Sequence, residues 1–329
     1  MNPFPFVSIA TETISRGAMF TPAEGYCLWY KRHDGSFSRE GCNQHILREA
    51  ASLGTDQVKA ERAVGLNRNP FCNQAGLEKE RDGIGYWNRK WALRDEGSQE
   101  NMTLDGSDGE ESFDREVVRR ARHKQVLDVG CGPGEFTLQV AERAKSVVGI
   151  DTSGKALELA KKKLEDSGVG NVGYRFADIH RLPLHDDQFD VVFSRRGPAS
   201  VDRRSLAEAF RVLKKGGTFM EITIGERDKQ NIVKIFGRGQ MKGFRGQVST
   251  VKKGWLSETG FRNIIAKDYL ATEVFRTMDD LVIRLRTAPI IPSFDVGKDG
   301  TFLKRVAELC TTDRGVETPV HRVVLIARK

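Results

Sequence analysis

The stretch that most constrains the fold runs from Val126 to Thr137 and reads as a buried strand, a glycine-rich turn and the start of a helix. Gly130, Gly132 and Gly134 occupy alternate positions of the turn, where glycine lets the backbone bend tightly and approach a ligand closely. Such a turn after the first strand of an α/β sheet forms a nucleotide-type cofactor site. We therefore predict an α/β fold with a cofactor site at this turn.

The acids around the turn favour a cationic cofactor over a dinucleotide. A dinucleotide site has the spacing G-x-G-x-x-G and places a pyrophosphate on the amides of the helix N-terminus. Here the spacing is G-x-G-x-G, Glu135 takes the place of the third dinucleotide glycine, and Asp128 precedes the turn. Two carboxylates would repel pyrophosphate, but they suit S-adenosylmethionine, which has an ammonium and a sulfonium group and no phosphate.

Later segments continue the same pattern. The second predicted strand, Ser146–Asp151, ends in an acid close to the roughly 20 residues from the turn that a ribose-binding acid takes in such folds. A third predicted strand, Val172–Phe176, is followed by Asp178. The stretch from Leu182 to Phe193 resembles the approach to the fourth strand in a family of methyltransferases, and Arg211–Phe219 resembles that family's helix end, left-handed cap glycine (Gly216) and fifth strand.

In this order the segments resemble the class I S-adenosylmethionine-dependent methyltransferases, of the ubiquinone and menaquinone type, most strongly from Val126 to about Gly225. The resemblance implies a Rossmann-like, doubly wound sheet of seven strands with the last strand antiparallel, and S-adenosylmethionine as cofactor. Asp178 then corresponds to the acid that binds the adenine amino group, and Ile179 to the residue that packs on the ring. The implied cofactor-binding residues are Asp128, Gly130, Cys131, Gly132, Gly134, Asp151, Thr152, Asp178, Ile179 and Ser194.

The predicted organisation has three parts. We interpret 1–83 as a poorly defined N-terminal extension and leave open whether it is ordered; 84–123 as a helical lead-in and linker; and 124–329 as the methyltransferase domain. The aromatic start of the lead-in, with Tyr86, Trp87 and Trp91, suits a helix that packs over the cofactor, although core packing is the alternative. The acidic, Gly- and Ser-rich stretch from Glu96 to Ser112 predicts a loop.

Composition predicts the compartment of the protein, the state of its thiols and the lack of a metal site. The chain of 329 residues lacks an apolar run long enough to cross a bilayer and an evident secretory signal, so we predict a cytoplasmic protein without membrane association. Its five cysteines lack close pairing, which favours reduced thiols. Cys27, Cys42, His45 and Cys72 include no C-x-x-C pair, so we predict no metal site.

The acceptor side begins after the fourth strand. Arg195 and Arg196 are the predicted substrate residues, because guanidinium groups bind carboxylates and phosphates in a bidentate manner; surface salt bridges are an equal alternative. Methyl transfer from a sulfonium is an in-line displacement that demands no catalytic residue. Candidate bases are His180, His185 and His321, each with a structural alternative, and Glu221 could be a paired core acid.

Several functions remain open at this point. The leading one is methyl transfer to a small molecule. The second is methylation of an RNA base: the net charge of +8 permits an RNA partner, the basic segment Gly237–Gly246 could follow phosphates, and Phe244 could stack on a base. The tail is loosely similar to ribosomal RNA guanine-N1 methyltransferases, but the chain lacks their zinc module. A non-catalytic cofactor-binding scaffold and a nicotinamide oxidoreductase are less favoured. The acceptor atom, the need for a base and the oligomeric state stay open.

Overall fold

The structure is a computed structural model that describes residues 7–11, 14–18, 28–31, 37–40, 84–95, 100–197 and 203–329. The chain divides into two compact units, Met1–Asn69 and Pro70–Lys329. In the first unit, β1 (Val7–Thr11) pairs with β2 (Ile14–Ala18), and β3 (Leu28–Lys31) pairs with β4 (Phe37–Glu40), both antiparallel. The cysteines and histidine considered for a metal site lie outside the described residues, as does most of the predicted extension, so both predictions stay untested.

The second unit alternates strands and helices along the chain. Its elements are α1 (Ile84–Asp95), β5 (Met102–Gly106), α2 (Glu110–Ala121), β6 (Gln125–Val129), α3 (Glu135–Ala141), β7 (Ser146–Asp151), α4 (Gly154–Ser167), β8 (Val172–Phe176), β9 (Phe189–Arg195), α5 (Arg203–Val212), β10 (Leu213–Ile224), α6 (Gln230–Phe236), α7 (Val248–Thr259), β11 (Arg262–Phe275), α8 (Met278–Thr287), α9 (Gly300–Cys310), β12 (Thr311–Thr312) and β13 (Gly315–Arg328). The predicted core strands are all present.

One sheet organises this unit. Within the described residues it has nine strands in the order β5-β11-β13-β10-β9-β6-β7-β8, and β12 pairs with β13. Strands β6 to β10 are parallel, whereas β13 runs antiparallel between β10 and β11. The seven strands from β8 to β11 therefore form the predicted doubly wound sheet with an antiparallel last strand. Because β6 lies between β7 and β9, the strand order reverses beside it, which is where such sheets bind ligands.

The predicted loop from Glu96 to Ser112 is wrong in part. Residues Met102–Gly106 form β5, which pairs antiparallel with the Ala271–Phe275 end of β11, and α2 begins at Glu110. Four of the five β5 residues are exposed, so this edge strand is held by its backbone ladder and not by a buried face. Met102 and Leu104 do alternate with polar residues, but this alternation spans only four positions within a stretch rich in acids, Gly and Ser, which is too short to mark a strand in the sequence.

The predicted cap at Gly216 is also corrected. Helix α5 ends at Val212, and Gly216 lies inside β10 at an irregularity of its pairing with β9. Gly216 does adopt the left-handed conformation, with φ of 76°, and its N–H donates to the Lys329 carbonyl at 3.0 Å. The glycine thus shapes a strand irregularity next to the chain end, because Leu213 already pairs with Phe189.

The core covers both faces of the sheet. Successive residues of β6 alternate between two apolar clusters: Val126 packs with Phe113 and Val140, whereas Leu127 packs in a cluster that includes Trp255. Burial on both faces is expected for parallel strands connected by helices. None of the helices in the described residues combines the length and the apolar content needed to cross a membrane.

Candidate functional site

A cavity of about 480 Å³ lies at the carboxyl ends of the parallel strands β6 to β10. Its volume is in the range of small-molecule sites. One part, the turn half, is lined by the β6–α3 turn and by residues that follow β7 and β8. The other part, the charged half, is lined by the end of β9 and by side chains from the α6 start, α8 and β13, and its defining residues are Arg195, Arg196, Asp228, Lys229, Arg284 and Arg322.

Most predicted site residues meet in this cavity. The turn half contains Asp128, Gly130, Cys131, Gly132, Asp151, Thr152, Asp178 and Ile179, and the charged half contains Arg195 and Arg196. Two predicted cofactor residues do not line the cavity. Gly134 lies behind the turn, where its carbonyl accepts a hydrogen bond from Tyr174 Oη at 3.3 Å. Ser194 is buried, and its hydroxyl donates to the Val129 carbonyl at 3.1 Å.

The glycine turn has little room for side chains. The N–H groups of Gly130 and Cys131 both donate to the Ile150 carbonyl, at 2.8 and 3.0 Å, which ties the turn to β7. Gly134 has φ of 81°, and a Cβ there would lie 2.3 Å from Tyr174 Oη. At Gly132, a Cβ would lie 3.0 Å from the Trp91 ring. The turn is therefore a backbone cradle that side chains would fill.

Asp128 is a buried carboxylate at the floor of the turn half. It accepts a hydrogen bond from Thr137 Oγ1 at 2.7 Å. Burial is the largest influence and raises its pKa to about 7, with the Asp151 carboxylate adding to the rise against the Thr137 hydrogen bond. Burial thus makes an ionised Asp128 costly, and a cation placed beside it would lower that cost.

The next two acids lie at the ends of neighbouring strands. Asp151 accepts hydrogen bonds from the N–H groups of Gly132, at 2.9 Å, and Ser153, at 2.8 Å; burial raises its pKa and these bonds oppose the rise. Asp178 accepts from the His180 N–H at 2.9 Å, and its oxygen also lies 2.6 Å from His180 Nδ1. The strand topology therefore gathers acids that are far apart in the sequence.

Helix α1 covers the turn half. Trp87, Lys90 and Trp91 line the cavity, and Lys90 Nζ lies 4.7 Å from the centre of each tryptophan ring. Asn88 Oδ1 accepts hydrogen bonds from Ser153 Oγ, at 2.8 Å, and from the Lys155 N–H, at 3.1 Å, which fixes α1 to the start of α4. The side chain of Tyr86 lies outside the described residues.

The two predicted substrate arginines differ in how firmly they are held. Arg195 donates to Asp114 at 2.9 and 3.1 Å and to Glu110 at 2.9 Å, so its guanidinium is fixed against α2. Arg196 has one ion pair with Glu110, at 3.2 Å, and 40% of its side chain is exposed. It also has φ of 59°, a left-handed conformation that is uncommon for residues with a side chain and that clusters at functional sites.

Three cations of the charged half were missed by the sequence reasoning. Arg322 forms a buried ion pair with Asp228, Lys229 pairs with Glu273 at 2.7 Å, and Arg284 pairs with Glu100 at 2.8 Å. Arg322 reaches the cavity because it pairs in register with Ile224 at the end of β10. The available signal was a charged residue directly before the apolar run of the last strand, since charged residues are almost never fully buried unless they are paired.

The four candidate bases differ in whether they line the cavity. His321 is buried and does not line the cavity; its Nδ1 accepts from the Arg227 N–H at 3.2 Å, and its Nε2 lies 2.9 Å from Asp268. Glu221 is the paired core acid, bound by Lys252 at 2.6 and 2.7 Å. His180 lines the cavity, whereas His185 is exposed away from it. Of these four residues, only His180 lines the cavity.

The basic segment Gly237–Gly246 contributes one side chain to the cavity, the amide of Gln240, which donates to Asp228. Phe244 packs against the core cluster of the sheet. Arg238 is held by Asp299 through two hydrogen bonds of 2.8 Å. Across the described residues, no group of three or more His, Cys, Asp or Glu side chains is placed to hold a metal ion.

Comparison with known proteins agrees with this geometry. Residues 126–217 match the family described as a methyltransferase domain. A ubiquinone/menaquinone biosynthesis C-methyltransferase of Geotalea daltonii is 37% identical over 106 residues, which is 30% of this chain and 45% of that protein. A ubiquinone biosynthesis O-methyltransferase of Nitrosomonas europaea is 34% identical over 129 residues, 37% of this chain and 53% of that protein. The chain thus spans about half the length of these relatives.

A solved structure supports the fold. The YcgJ protein of Bacillus subtilis superposes with a TM-score of 0.52 at 17% identity, covering 67% of this chain and 98% of that protein. At this identity the similarity shows the fold alone. The chain therefore contains, at residues 126–217, a segment that matches a methyltransferase domain, and the sheet around it has the fold of a solved relative.

Proposed function

We propose that the protein transfers a methyl group from S-adenosylmethionine to a small molecule bound in the charged half. The observation that carries this proposal is the continuity of the cavity, which joins the glycine turn to a set of charged side chains. Two ligands in one cavity can approach in line, and holding them in that geometry is the main source of catalysis for this reaction. The relatives include a C-methyltransferase and an O-methyltransferase, so their names do not fix the acceptor, which is proposed from the charged half.

The turn half fits S-adenosylmethionine on chemical grounds. A bound S-adenosylmethionine supplies a methyl group that its sulfonium already activates. We assign the ammonium or sulfonium charge to Asp128, the ribose hydroxyls to Asp151, and the adenine to Asp178 and Ile179. Gly132 supports this assignment, because a side chain there would meet the Trp91 ring and fill the cradle. The remaining predicted contacts, Gly130, Cys131 and Thr152, line the same half.

On the acceptor side, the two predicted substrate arginines take different roles. Arg195 is a positioning residue, since its three hydrogen bonds hold α2 against the cavity. Arg196 is the substrate contact of the pair, because its single ion pair leaves other guanidinium N–H groups to donate.

The RNA hypothesis receives less support. Stacking on a base requires an aromatic ring at the surface, whereas Phe244 packs against the core. Lys242 and Arg245 are exposed and could still contact phosphates. RNA methylation therefore remains the second candidate, and a salt-sensitive affinity for RNA that falls in Lys242→Ala and Arg245→Ala would favour it.

The test is incubation of the protein with methyl-labelled S-adenosylmethionine and a cell extract divided into RNA, protein and small-molecule fractions. We expect label in the small-molecule fraction. Label that disappears after ribonuclease treatment would replace this function with RNA methylation. No label in any fraction, despite saturable binding of S-adenosylhomocysteine, would favour the non-catalytic scaffold.

A further inference from the structure

The end of the sheet that lies opposite the cavity carries exposed positive charge. The cavity is at the carboxyl ends of the parallel strands, whereas the segments before β6 and β7, the start of β10 and the end of the antiparallel β13 lie at their amino ends. Each of these places contributes exposed arginine or lysine side chains. We name them together the basic face, which consists of Arg122, Lys124, Arg143, Lys145, Lys215 and Arg328.

The basic face is continuous. The Lys145 N–H donates to the Lys124 carbonyl at 2.9 Å, which joins the segments before β7 and β6. Lys214 Nζ donates to Gln125 Oε1 at 2.8 Å, which joins the start of β10 to β6, and β13 pairs with β10 up to its last residue. In the sheet, β6, β9 and β10 lie between β7 and β13. At about 4.8 Å between neighbouring strands, the face is a row about 19 Å long.

The basic face has more cations than acids. None of its side chains forms an ion pair with an acid among the residues that the structure describes. The remaining acids nearby are Glu142, before β7, and Glu165 and Asp166, at the end of α4. Six cations against these three acids leave an excess of three positive charges. The aspartates of this end are already bound by other cations, Asp186 by Arg211 at 2.7 Å, Asp187 by Lys329 at 2.8 Å and Asp190 by Lys214 at 3.2 Å.

Hydrogen bonds to helix ends do not account for these cations. The helices between the parallel strands end on this side of the sheet, and a helix dipole favours cations near its C-terminus. Within the described part of the chain, none of the six side chains donates to a helix carbonyl, and Arg122 Nε instead lies 3.4 Å from His123 Nε2. Since exposed like charges repel one another, an anion that spans the row would stabilise it.

The composition of the basic face favours a nucleic acid over a membrane. An interfacial segment enters a bilayer through large apolar side chains. A row of charges about 19 Å long instead matches a strand of nucleic acid, which has a phosphate about every 3.4 Å along a duplex. The exposed large apolar residues that the structure describes all lie outside the segments of the face, at Leu104, Phe176, Ile265, Leu270, Val296, Phe302 and Leu309.

We propose that the basic face binds the phosphate backbone of a nucleic acid. Contacts of this kind position a nucleic acid without reading its sequence. The proposal goes beyond the proposed function, because the face and the cavity lie at opposite ends of the sheet. The five residues of β6 separate them by about 16 Å, at about 3.3 Å per residue. The nucleic acid is therefore a docking partner of the protein, and the methyl acceptor still enters by the cavity.

The probes are a fluorescently labelled oligouridylate and a labelled oligothymidylate, whose anisotropy is measured with the full chain over a range of salt concentrations. Phosphate contacts release counterions, so the logarithm of the association constant should fall linearly with the logarithm of the salt concentration. For single strands the slope is about −0.7 per phosphate contacted, so six cations predict a slope of about −4. We expect both oligonucleotides to bind, because the face contacts phosphates and not bases.

A triple variant locates the binding. Reversing the charge of three of the six cations should weaken binding at least about tenfold and flatten the salt slope by about 2. The circular dichroism spectrum should match that of wild type, because the three side chains are exposed. The substitutions are Lys124→Glu, Lys145→Glu and Lys215→Glu.

The matched control changes the net charge by the same amount at a distance from the basic face. It combines Lys234→Glu, Lys298→Glu and Lys304→Glu, at exposed lysines of α6, of the segment before α9 and of α9. We expect this variant to bind both oligonucleotides within about twofold of wild type, because charges more than about 10 Å away are largely screened at moderate salt.

Four results would overturn the proposal. The first is no binding of either oligonucleotide at low salt. The second is an equal loss of affinity in the two triple variants, which would show an effect of net charge alone. The third is tighter binding to phosphatidylserine vesicles than to either oligonucleotide in a sedimentation assay, which would assign the face to a membrane. The fourth is a loss of binding in Lys242→Ala and Arg245→Ala while the face variant still binds, which would move the site to the basic segment Gly237–Gly246.

These outcomes are independent of the proposed function. Failure of the wild type to bind S-adenosylhomocysteine would contradict methyl transfer and leave the basic face assigned. Conversely, a protein that binds S-adenosylhomocysteine but neither oligonucleotide would keep its proposed function and lose the docking surface.

Discussion

The two halves of the cavity are built in different ways. The turn half is made mostly by the segment from β6 to the residues after β8, which contributes glycines, backbone amides and three acids, and helix α1 covers it. The charged half draws one or two side chains from each of four separate places, the end of β9, the start of α6, α8 and β13. A local segment can be copied intact between proteins, whereas a dispersed set changes residue by residue.

The largest effect on cofactor affinity is expected for Gly134→Ala, which disturbs the glycine turn. The alanine would have to keep the φ of 81° that Gly134 has. Its Cβ would lie 2.3 Å from Tyr174 Oη and 2.8 Å from Tyr174 Cζ. We expect affinity for S-adenosylhomocysteine to fall about a hundredfold by calorimetry, since overpacking costs about 1–3 kcal/mol. Gly168→Ala is the matched control, because Gly168 has φ of 67° and no atom near its Cβ position. An equal loss of affinity in both variants would refute the clash.

Asp128→Asn should have the next largest effect, with a signature in pH. Cofactor binding by wild type should strengthen as pH rises to about 7, because the Asp128 proton must leave before the carboxylate can bind a cation. In Asp128→Asn the affinity should be about thirtyfold lower at pH 8, as for a lost hydrogen bond to a charged group, and flat with pH. Asp313→Asn, at an exposed acid, is the control. A pH slope that persists in Asp128→Asn would assign the proton to another group.

The same carboxyl gives a prediction for the stability of the protein without added cofactor. With its pKa raised to about 7, native Asp128 keeps a proton that the unfolded chain loses near pH 4. The native state therefore binds more protons across this window, and the free energy of unfolding should fall as pH rises from about 4 to about 7. Urea unfolding of wild type against Asp128→Asn measures this contribution. If the free energy of unfolding of wild type instead rose with pH relative to that of Asp128→Asn, the raised pKa would be contradicted.

A smaller effect, on the stability of the protein, is expected for Arg195→Gln in the charged half. Arg195→Gln removes the hydrogen bonds to Asp114 and Glu110, so we expect a loss of about 1 kcal/mol in the free energy of unfolding. Cofactor affinity should change little. Arg115→Gln is the control on the same helix, because its pair with Glu111 is exposed and such pairs contribute about 0–1 kcal/mol. A strong loss of cofactor affinity in Arg195→Gln would show that the charged half takes part in cofactor binding.

The smallest effect concerns Glu135, whose charge argued against a dinucleotide. It forms an ion pair with Lys163 and is 59% exposed. Glu135→Gln should therefore change affinity for S-adenosylhomocysteine by less than about threefold, in line with the small energy of exposed pairs. It should not create binding of a nicotinamide dinucleotide. Appearance of such binding in a fluorescence titration would show that this acid alone selects the cofactor.

The turn half could be predicted from the sequence because its chemistry is local. Strand, glycine turn and acid follow at fixed spacings, and the structure brings Asp128, Asp151 and Asp178 to one cavity as the pattern requires. Gly134 and Ser194 were predicted as contacts, but they shape the site from behind. Spacing identifies a position in a motif and does not reveal whether a side chain faces the ligand.

The charged half resisted prediction for a physical reason. Arg322 reaches the cavity through the register of β13 with β10, and Arg284 through the packing of α8, neither of which a local pattern contains. Arg195 and Arg196 were found because they follow the fourth strand directly, yet their partners Glu110 and Asp114 come from a distant helix. Strand β5 escaped for a related reason, since its pairing depends on the edge of β11.

The most direct test of the two-part site is calorimetric titration of S-adenosylhomocysteine into wild type, Asp128→Asn and Arg284→Lys under one set of conditions. Wild type should bind one equivalent. Asp128→Asn should lose most of the affinity, and Arg284→Lys should retain it, because its side chain belongs to the charged half. Equal affinities in the two variants, or the larger loss in Arg284→Lys, would contradict the division of the cavity into a cofactor site and an acceptor site.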